Sequence, residues 1–62
     1  MPYFLQVAFD AWVRLGHTYT VRVDRNGSRK VSLNGERETN MASAMRRIER
    51  ALAAAPRAQW EG

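Results

Sequence analysis

The stretch that decides the fold runs from residue 19 to residue 33 and reads YTVRVDRNGSRKVSL. On both sides of its centre every second residue is apolar: Tyr19, Val21 and Val23, then Val31 and Leu33. Such alternation is typical of half-buried strands, and Thr, Tyr and Val are residues that strands favour. At the centre, Asn26-Gly27 readily supplies the positive φ angles of a tight turn. The stretch therefore predicts a β-hairpin.

A helix is predicted after the hairpin. The turn signal Asn34-Gly35 ends the second strand, and from Thr39 onward the apolar residues recur with a period of 3.6. They share one helix face: Met41, Ala44, Met45, Ile48, Leu52 and Ala55. Thr39 or Asn40 is suited to cap the first turn. Pro56 ends the helix, because proline disfavours the α conformation of the residue before it.

Residues 3–15 fit two patterns. As a strand, this segment has an apolar residue at every odd position, while its even positions are mixed. As a helix, it has a narrow polar stripe of Gln6, Asp10 and Arg14, with a proline near the first turn and a glycine just past the end. Its valines and aromatic residues favour a strand. We therefore expect a strand and keep the helix as the alternative.

These elements predict an α+β fold, a three-stranded antiparallel meander packed on one C-terminal helix in the order βββα. The alternative order is αββα, with residues 3–15 helical. One small domain spans residues 1–56, and residues 57–62 form a C-terminal tail in which the large apolar Trp60 has no assigned role. The expected core comprises Leu5, Val7, Phe9, Val13, Tyr19, Val21, Val23, Val31 and Leu33 against Met41, Met45, Ile48 and Leu52.

The length and composition exclude several classes of protein. A chain of 62 residues buries only about 60% of the surface that its unfolded form exposes. It has no cysteine for a disulfide or a thiolate metal site, and its single histidine, His17, stands alone at a predicted turn. No apolar run is long enough to span a membrane, and no signal peptide is recognisable at the N-terminus. We expect a cytoplasmic protein that is not an enzyme and needs no metal or cofactor.

The positive charge is concentrated in one segment. The formal net charge is +4, from ten Lys or Arg against six Asp or Glu. Between residues 14 and 30 five basic residues face one acidic residue, and the remaining charges balance. The five are Arg14, Arg22, Arg25, Arg29 and Lys30. Because guanidinium groups are suited to phosphate contacts, these residues are the candidate nucleic-acid-binding site.

Two modes of nucleic-acid binding fit this segment, and DNA and RNA are both candidate partners. In the first mode, Phe4 and Trp12 of a strand at residues 3–15 lie on the sheet face that the helix leaves open. There they stack on unpaired bases, at about 1–3 kcal/mol each, while basic residues hold the phosphates. In the second mode, the hairpin enters a DNA major groove. Arg22 and Lys30 then reach base edges, and the two other hairpin arginines contact the backbone.

A family resemblance points the same way. The hairpin of residues 19–31, followed by the alanine-rich helix of residues 41–55, resembles the three-stranded-sheet-plus-helix DNA-binding domains of phage integrase arms and plant AP2 factors. In those domains the sheet reads the major groove, so the resemblance implies that DNA is contacted by Arg22, Arg25, Arg29 and Lys30. It covers half of the chain. The N-terminal segment is longer and far more apolar than the first strand of that family, and no catalytic domain is attached, so integrase activity is not implied.

A second class of function also fits. Very small arginine-rich proteins without catalytic residues are common among phage and plasmid products that bind and inhibit a host protein complex. Phe4 and Trp12 would then form a partner interface, since aromatic residues and arginine dominate protein interfaces. An unpaired strand edge can also join a second copy in a homodimer. No membrane binding is expected, because the apolar face of the helix is needed for the core.

Overall fold

Two helices pack against a three-stranded antiparallel sheet in the computed structural model, which describes residues 3–62 and the side chains from residue 4 onward. The elements are α1 (Tyr3–Arg14), β1 (Tyr19–Val23), β2 (Arg29–Leu33), β3 (Thr39–Asn40) and α2 (Met41–Ala54), followed by a 3₁₀ helix (Arg57–Gln59). The strands lie side by side in chain order. The predicted α+β class and three-stranded antiparallel sheet are confirmed.

The preferred prediction for residues 3–15 is wrong, and the helical alternative is confirmed. A helix satisfies its own backbone hydrogen bonds, whereas a long strand would need a partner along its whole length. Leu5 and Phe9, one helical turn apart, are buried. Val7 and Val13, which a strand would place in the core, are exposed.

Gly16 ends α1 and turns the chain towards β1. Its N–H donates to the carbonyl of Val13 at 2.9 Å, and the N–H of His17 donates to the carbonyl of Trp12 at 3.3 Å. These two bonds form a Schellman motif, which satisfies carbonyls that a helix end leaves unpaired. The motif needs a left-handed residue, and Gly16 has a φ of 92°.

The third strand is a two-residue segment, not residues 3–15. Thr39 lies opposite Val31 and Asn40 opposite Lys30. Asn40 is also the N-cap of α2, as predicted, because its Oδ1 accepts the N–H of Ser43 at 2.8 Å. The sheet therefore passes into α2 without a loop, and α2 is held directly against β2.

The core lies between the two helices and one face of the sheet. Its buried cluster comprises Phe9, Trp12, Val31, Leu33, Ala44 and Ile48. Three further predicted core residues are half-buried against this cluster: Met41, Met45 and Leu52. Tyr19 joins it from β1 by stacking on Phe9, with ring centroids 4.3 Å apart. Val21 and Val23 were expected in the core but are 37% and 61% exposed. The helices thus cover the end of the hairpin that is remote from its turn.

The tail folds back on both helices. The residue before Pro56 is extended (φ −107°, ψ 147°), as expected before a proline, and α2 ends at Ala54. The indole N–H of Trp60 donates to the carbonyl of Leu52 at 3.1 Å, which satisfies a carbonyl of the last turn. The carbonyl of Trp60 in turn accepts a hydrogen bond from Arg14 at 3.3 Å. Trp60 therefore joins the ends of the two helices.

Candidate nucleic-acid interface

The distal part of the β1–β2 hairpin projects beyond the helices. Val31 on β2 is fully buried, whereas its cross-strand partner Val21 and the next apolar residue, Val23, are exposed. The molecule is correspondingly elongated, with extents of 39 × 24 × 15 Å. Residues 22–30 thus form a short two-stranded ribbon that is open to solvent, hereafter the ribbon.

The turn of the ribbon is organised by Asp24. One of its carboxylate oxygens accepts the N–H of Asn26 at 3.0 Å and that of Ser28 at 2.9 Å. Its backbone also closes the turn, accepting the N–H of Gly27 at 3.0 Å and donating to the carbonyl of Ser28 at 2.9 Å. Gly27 has a φ of 81°, the conformation expected from the Asn-Gly pair. Arg25 is thereby carried on an ordered turn, which lowers the entropy cost of binding.

Four of the five predicted nucleic-acid-binding residues lie on the ribbon. Arg25 is in the turn, Arg29 is opposite Val23, and Lys30 is opposite Arg22. Because successive strand residues point to opposite faces, Arg29 shares a face with Val23, and Lys30 shares the solvent face with Arg22. The ribbon therefore presents basic groups on both of its faces and at its tip.

Arg22 is paired with a carboxylate. Its Nε and Nη2 donate to the two oxygens of Glu38, each at 2.9 Å. These hydrogen bonds lower the pKa of Glu38 and raise that of Arg22, and the charge of Lys30 adds a smaller lowering of the pKa of Glu38. Within the described part of the chain, no carboxylate lies within ion-pair distance of Arg25, Arg29 or Lys30. These three carry the unneutralised charge of the ribbon.

Arg14 is separate from this group. It is the last residue of α1, and its guanidinium binds the carbonyl of Trp60 in the tail. The loop before β1 and the first three residues of β1 separate it from the ribbon, and three strand residues at about 3.3 Å each span roughly 10 Å. The structure therefore brings four of the predicted residues together and leaves Arg14 at the opposite end of the hairpin.

The prediction of an aromatic sheet face is wrong, because Phe4 and Trp12 belong to α1. Trp12 is 3% exposed, its indole N–H donates to the carbonyl of Thr18 at 2.8 Å, and its ring stacks on His17 with centroids 3.9 Å apart. Phe4 is 68% exposed, on the helix. The solvent face of β1 and β2 carries only polar side chains among the described residues: Thr20, Arg22, Lys30 and Ser32.

The sequence does not reveal a groove of about 390 Å³ beside α2, lined among others by His17 before β1, Asn34 after β2, and Arg50. Asn34 Oδ1 accepts the N–H of Thr18 at 2.9 Å, so its Nδ2 faces His17 Nδ1 at 3.2 Å. An amide nitrogen can only donate, so His17 Nδ1 is the acceptor in this contact. The groups meet from residues 16 or more positions apart, which no local motif reveals.

Among the described residues, no cluster of three or more His, Cys, Asp or Glu side chains could hold a metal ion. No helix in this part of the chain is long and apolar enough to cross a membrane. Comparison of the chain with models of protein families, with curated proteins and with solved structures finds no match.

Proposed function

We propose that this is a small non-enzymatic nucleic-acid-binding protein that uses the ribbon as its binding element. The observation that carries the proposal is the arrangement of Arg25, Arg29 and Lys30 on a projecting, ordered two-stranded ribbon with no carboxylate paired to them among the described residues. A two-stranded ribbon fits the major groove of B-DNA, which is about 12 Å wide.

The geometry favours duplex over single-stranded nucleic acid. Single-strand binding relies on aromatic side chains that stack on bases, and the described solvent face of the sheet has none. Duplex binding relies instead on phosphate contacts that flank a groove. In a ribbon lying in the groove, Arg25 and Arg29 contact the backbone, while Lys30 on the other face is directed to base edges, joined by Arg22 when DNA displaces Glu38 from it.

The proposal is tested by fluorescence anisotropy against duplex DNA, duplex RNA and single-stranded DNA at several salt concentrations. The double variant Arg25→Gln/Arg29→Gln is compared with Arg46→Gln/Arg50→Gln, which removes the same charge from α2. We expect duplex DNA to bind best and the ribbon variant to lose affinity. In that variant, the slope of log K against log salt concentration should become shallower by about two. The α2 variant should bind nearly as tightly as the native protein. Absence of binding at low salt, or equal losses in both variants, would refute the proposal.

A second candidate function is favoured by one surface of α1. Phe4 and Val7, one turn apart, are 68% and 46% exposed, and burying such an apolar pair against a partner favours association. The second proposal is a phage- or plasmid-type protein that binds and inhibits a host protein. A pull-down from nuclease-treated host lysate tests it. A specific partner that is retained at high salt and lost in Phe4→Ser supports this function. If Phe4→Ser captures the partner as well as the native chain does, this surface of α1 is not the interface.

A further inference from the structure

The outer edge of β1 has no partner strand in the described chain. Two backbone bonds bracket its pairing with β2: the N–H of Asn34 donates to the carbonyl of Thr18, and the N–H of Asp24 donates to the carbonyl of Ser28, each at 2.9 Å. In an antiparallel ladder the residues that face the partner strand alternate. The backbone groups of Thr18, Thr20, Arg22 and Asp24 therefore face β2.

The backbone groups of the intervening residues face outward. These are Tyr19, Val21 and Val23, and no turn, loop or helix of the described chain donates to or accepts from them. All four residues of β1 from Thr20 onward are exposed. Residues 19–23 contain neither a proline nor a lysine to protect the open edge, and their one charged side chain, Arg22, is paired with Glu38.

We infer that a second copy of this chain pairs with this edge, antiparallel, about a two-fold axis at Val21. In this register Val21 lies opposite its own copy and Tyr19 opposite Val23 of the other copy, and each pair exchanges both N–H···O bonds. All five residues of β1 are then paired, and the two sheets become continuous. The exposed apolar residues of the hairpin gain apolar cross-strand neighbours in this contact, Val21 beside Val21 of the copy and Val23 beside Tyr19 of the copy.

The charges of β1 select this register. Outward-facing residues must pair with outward-facing residues, so the pairing can shift only in steps that preserve this parity. If the two-fold axis moves from Val21 to Arg22, towards the ribbon, Arg22 lies directly opposite Arg22 of the copy, which is unfavourable. If the axis moves to Thr20 instead, Val23 has no opposite residue in β1. With the axis at Val21, Arg22 faces Thr20 of the copy.

Cysteine cross-linking tests the register, because the chain has no cysteine of its own. With the axis at Val21, the two Val21 Cα atoms lie about 5.5 Å apart, within the range of a disulfide. The two Val23 Cα atoms are four residues out of register, roughly 14 Å apart, which is too far for a disulfide. We therefore expect Val21→Cys to form a disulfide dimer under mild oxidation and Val23→Cys to remain largely monomeric. Val23 is the more exposed of the two, so random collision would give the opposite order; that order, or equal cross-linking, overturns the inference.

Sedimentation of cysteine-free chains provides the second test, without nucleic acid, so that its outcome does not depend on the proposed function. A single strand pair is a small interface, and we expect a weak dimer whose population rises with concentration up to the millimolar range. Val21→Pro removes an outward N–H but no bond to β2, so the fold is kept while dimerisation is lost. Val21→Thr keeps the N–H and should still dimerise. A constant monomer mass for the native chain, or a folded Val21→Pro variant that dimerises normally, overturns the inference.

Discussion

Arg22 and Glu38 join the ribbon to the segment before β3, across 16 residues of sequence, through two hydrogen bonds of 2.9 Å. The pair neutralises one of the four basic residues of the ribbon. It also holds the base of the ribbon against the rest of the sheet. Both side chains remain partly exposed, at 57% and 41%, so a ligand can compete for the guanidinium.

Replacing Glu38 should therefore strengthen nucleic-acid binding. In Glu38→Gln the guanidinium of Arg22 is released and a negative charge is removed beside Lys30. We expect tighter duplex binding, with a salt dependence steeper by a slope of about one, measured by anisotropy. Glu49→Gln makes the same change in net charge on α2 and is the control. If both variants bind equally tightly, net charge rather than the ribbon governs binding.

The two glutamate–arginine pairs should make stability depend on acid pH. Hydrogen bonds from Arg47 and Arg22 lower the pKa values of Glu36 and Glu38 in the folded protein. A lowered folded-state pKa contributes stability above the unfolded value, about 4.3 for glutamate, and this stability is lost as the pH falls through the folded pKa.

Melting temperatures of the native chain and of Glu36→Gln/Glu38→Gln, followed by circular dichroism, check this dependence. The double variant should melt at a lower temperature at pH 7, and the difference should shrink towards zero at strongly acid pH. High salt should reduce the difference at pH 7, since both pairs are exposed to solvent. A difference that persists unchanged in acid would show that the pairs do not act through their charge.

Because Val31 is buried and Val23 is exposed, we expect the same valine-to-alanine substitution to destabilise the protein much more at position 31 than at position 23. Val31→Ala removes two methyl groups from a fully buried site, at a cost of about 2 kcal/mol in the free energy of unfolding. Val23→Ala makes the same change on the neighbouring strand, where the side chain is 61% exposed, and should stay within about 0.5 kcal/mol. Urea denaturation at low protein concentration measures both. Equal losses would mean that the helices cover the ribbon.

The sequence predicts α2 and the hairpin because their signals are local. The Asn40 cap, the proline after the helix and the Asn-Gly turn each determine the conformation of a few neighbouring residues. The N-terminal segment also has a proline before it and Gly16 after it, but alternation and helical periodicity both fit its apolar residues, so these signals alone do not decide its structure. Its structure depends on how Leu5, Phe9 and Trp12 pack against α2 and the sheet. The neutralisation of Arg22 by Glu38 is likewise a contact between remote residues, so a count of charges along the chain overstates the basic character of the ribbon.

The end of α1 gives a direct test of the helical assignment. Gly16 has a φ of 92°, and a β-carbon built on it would contact nothing within 4 Å, so any cost of a side chain here comes from the backbone conformation alone. Gly16→Ala should lower the free energy of unfolding by about 1 kcal/mol, because L residues disfavour the left-handed region. Gly16→Asn should cost less, since asparagine adopts this region more readily. If urea denaturation shows the native chain to be the most stable, Gly16→Asn the next and Gly16→Ala the least stable, the Schellman motif is supported. An alanine variant as stable as the native chain would contradict it, because a residue between two strands with an ordinary negative φ accepts alanine without strain.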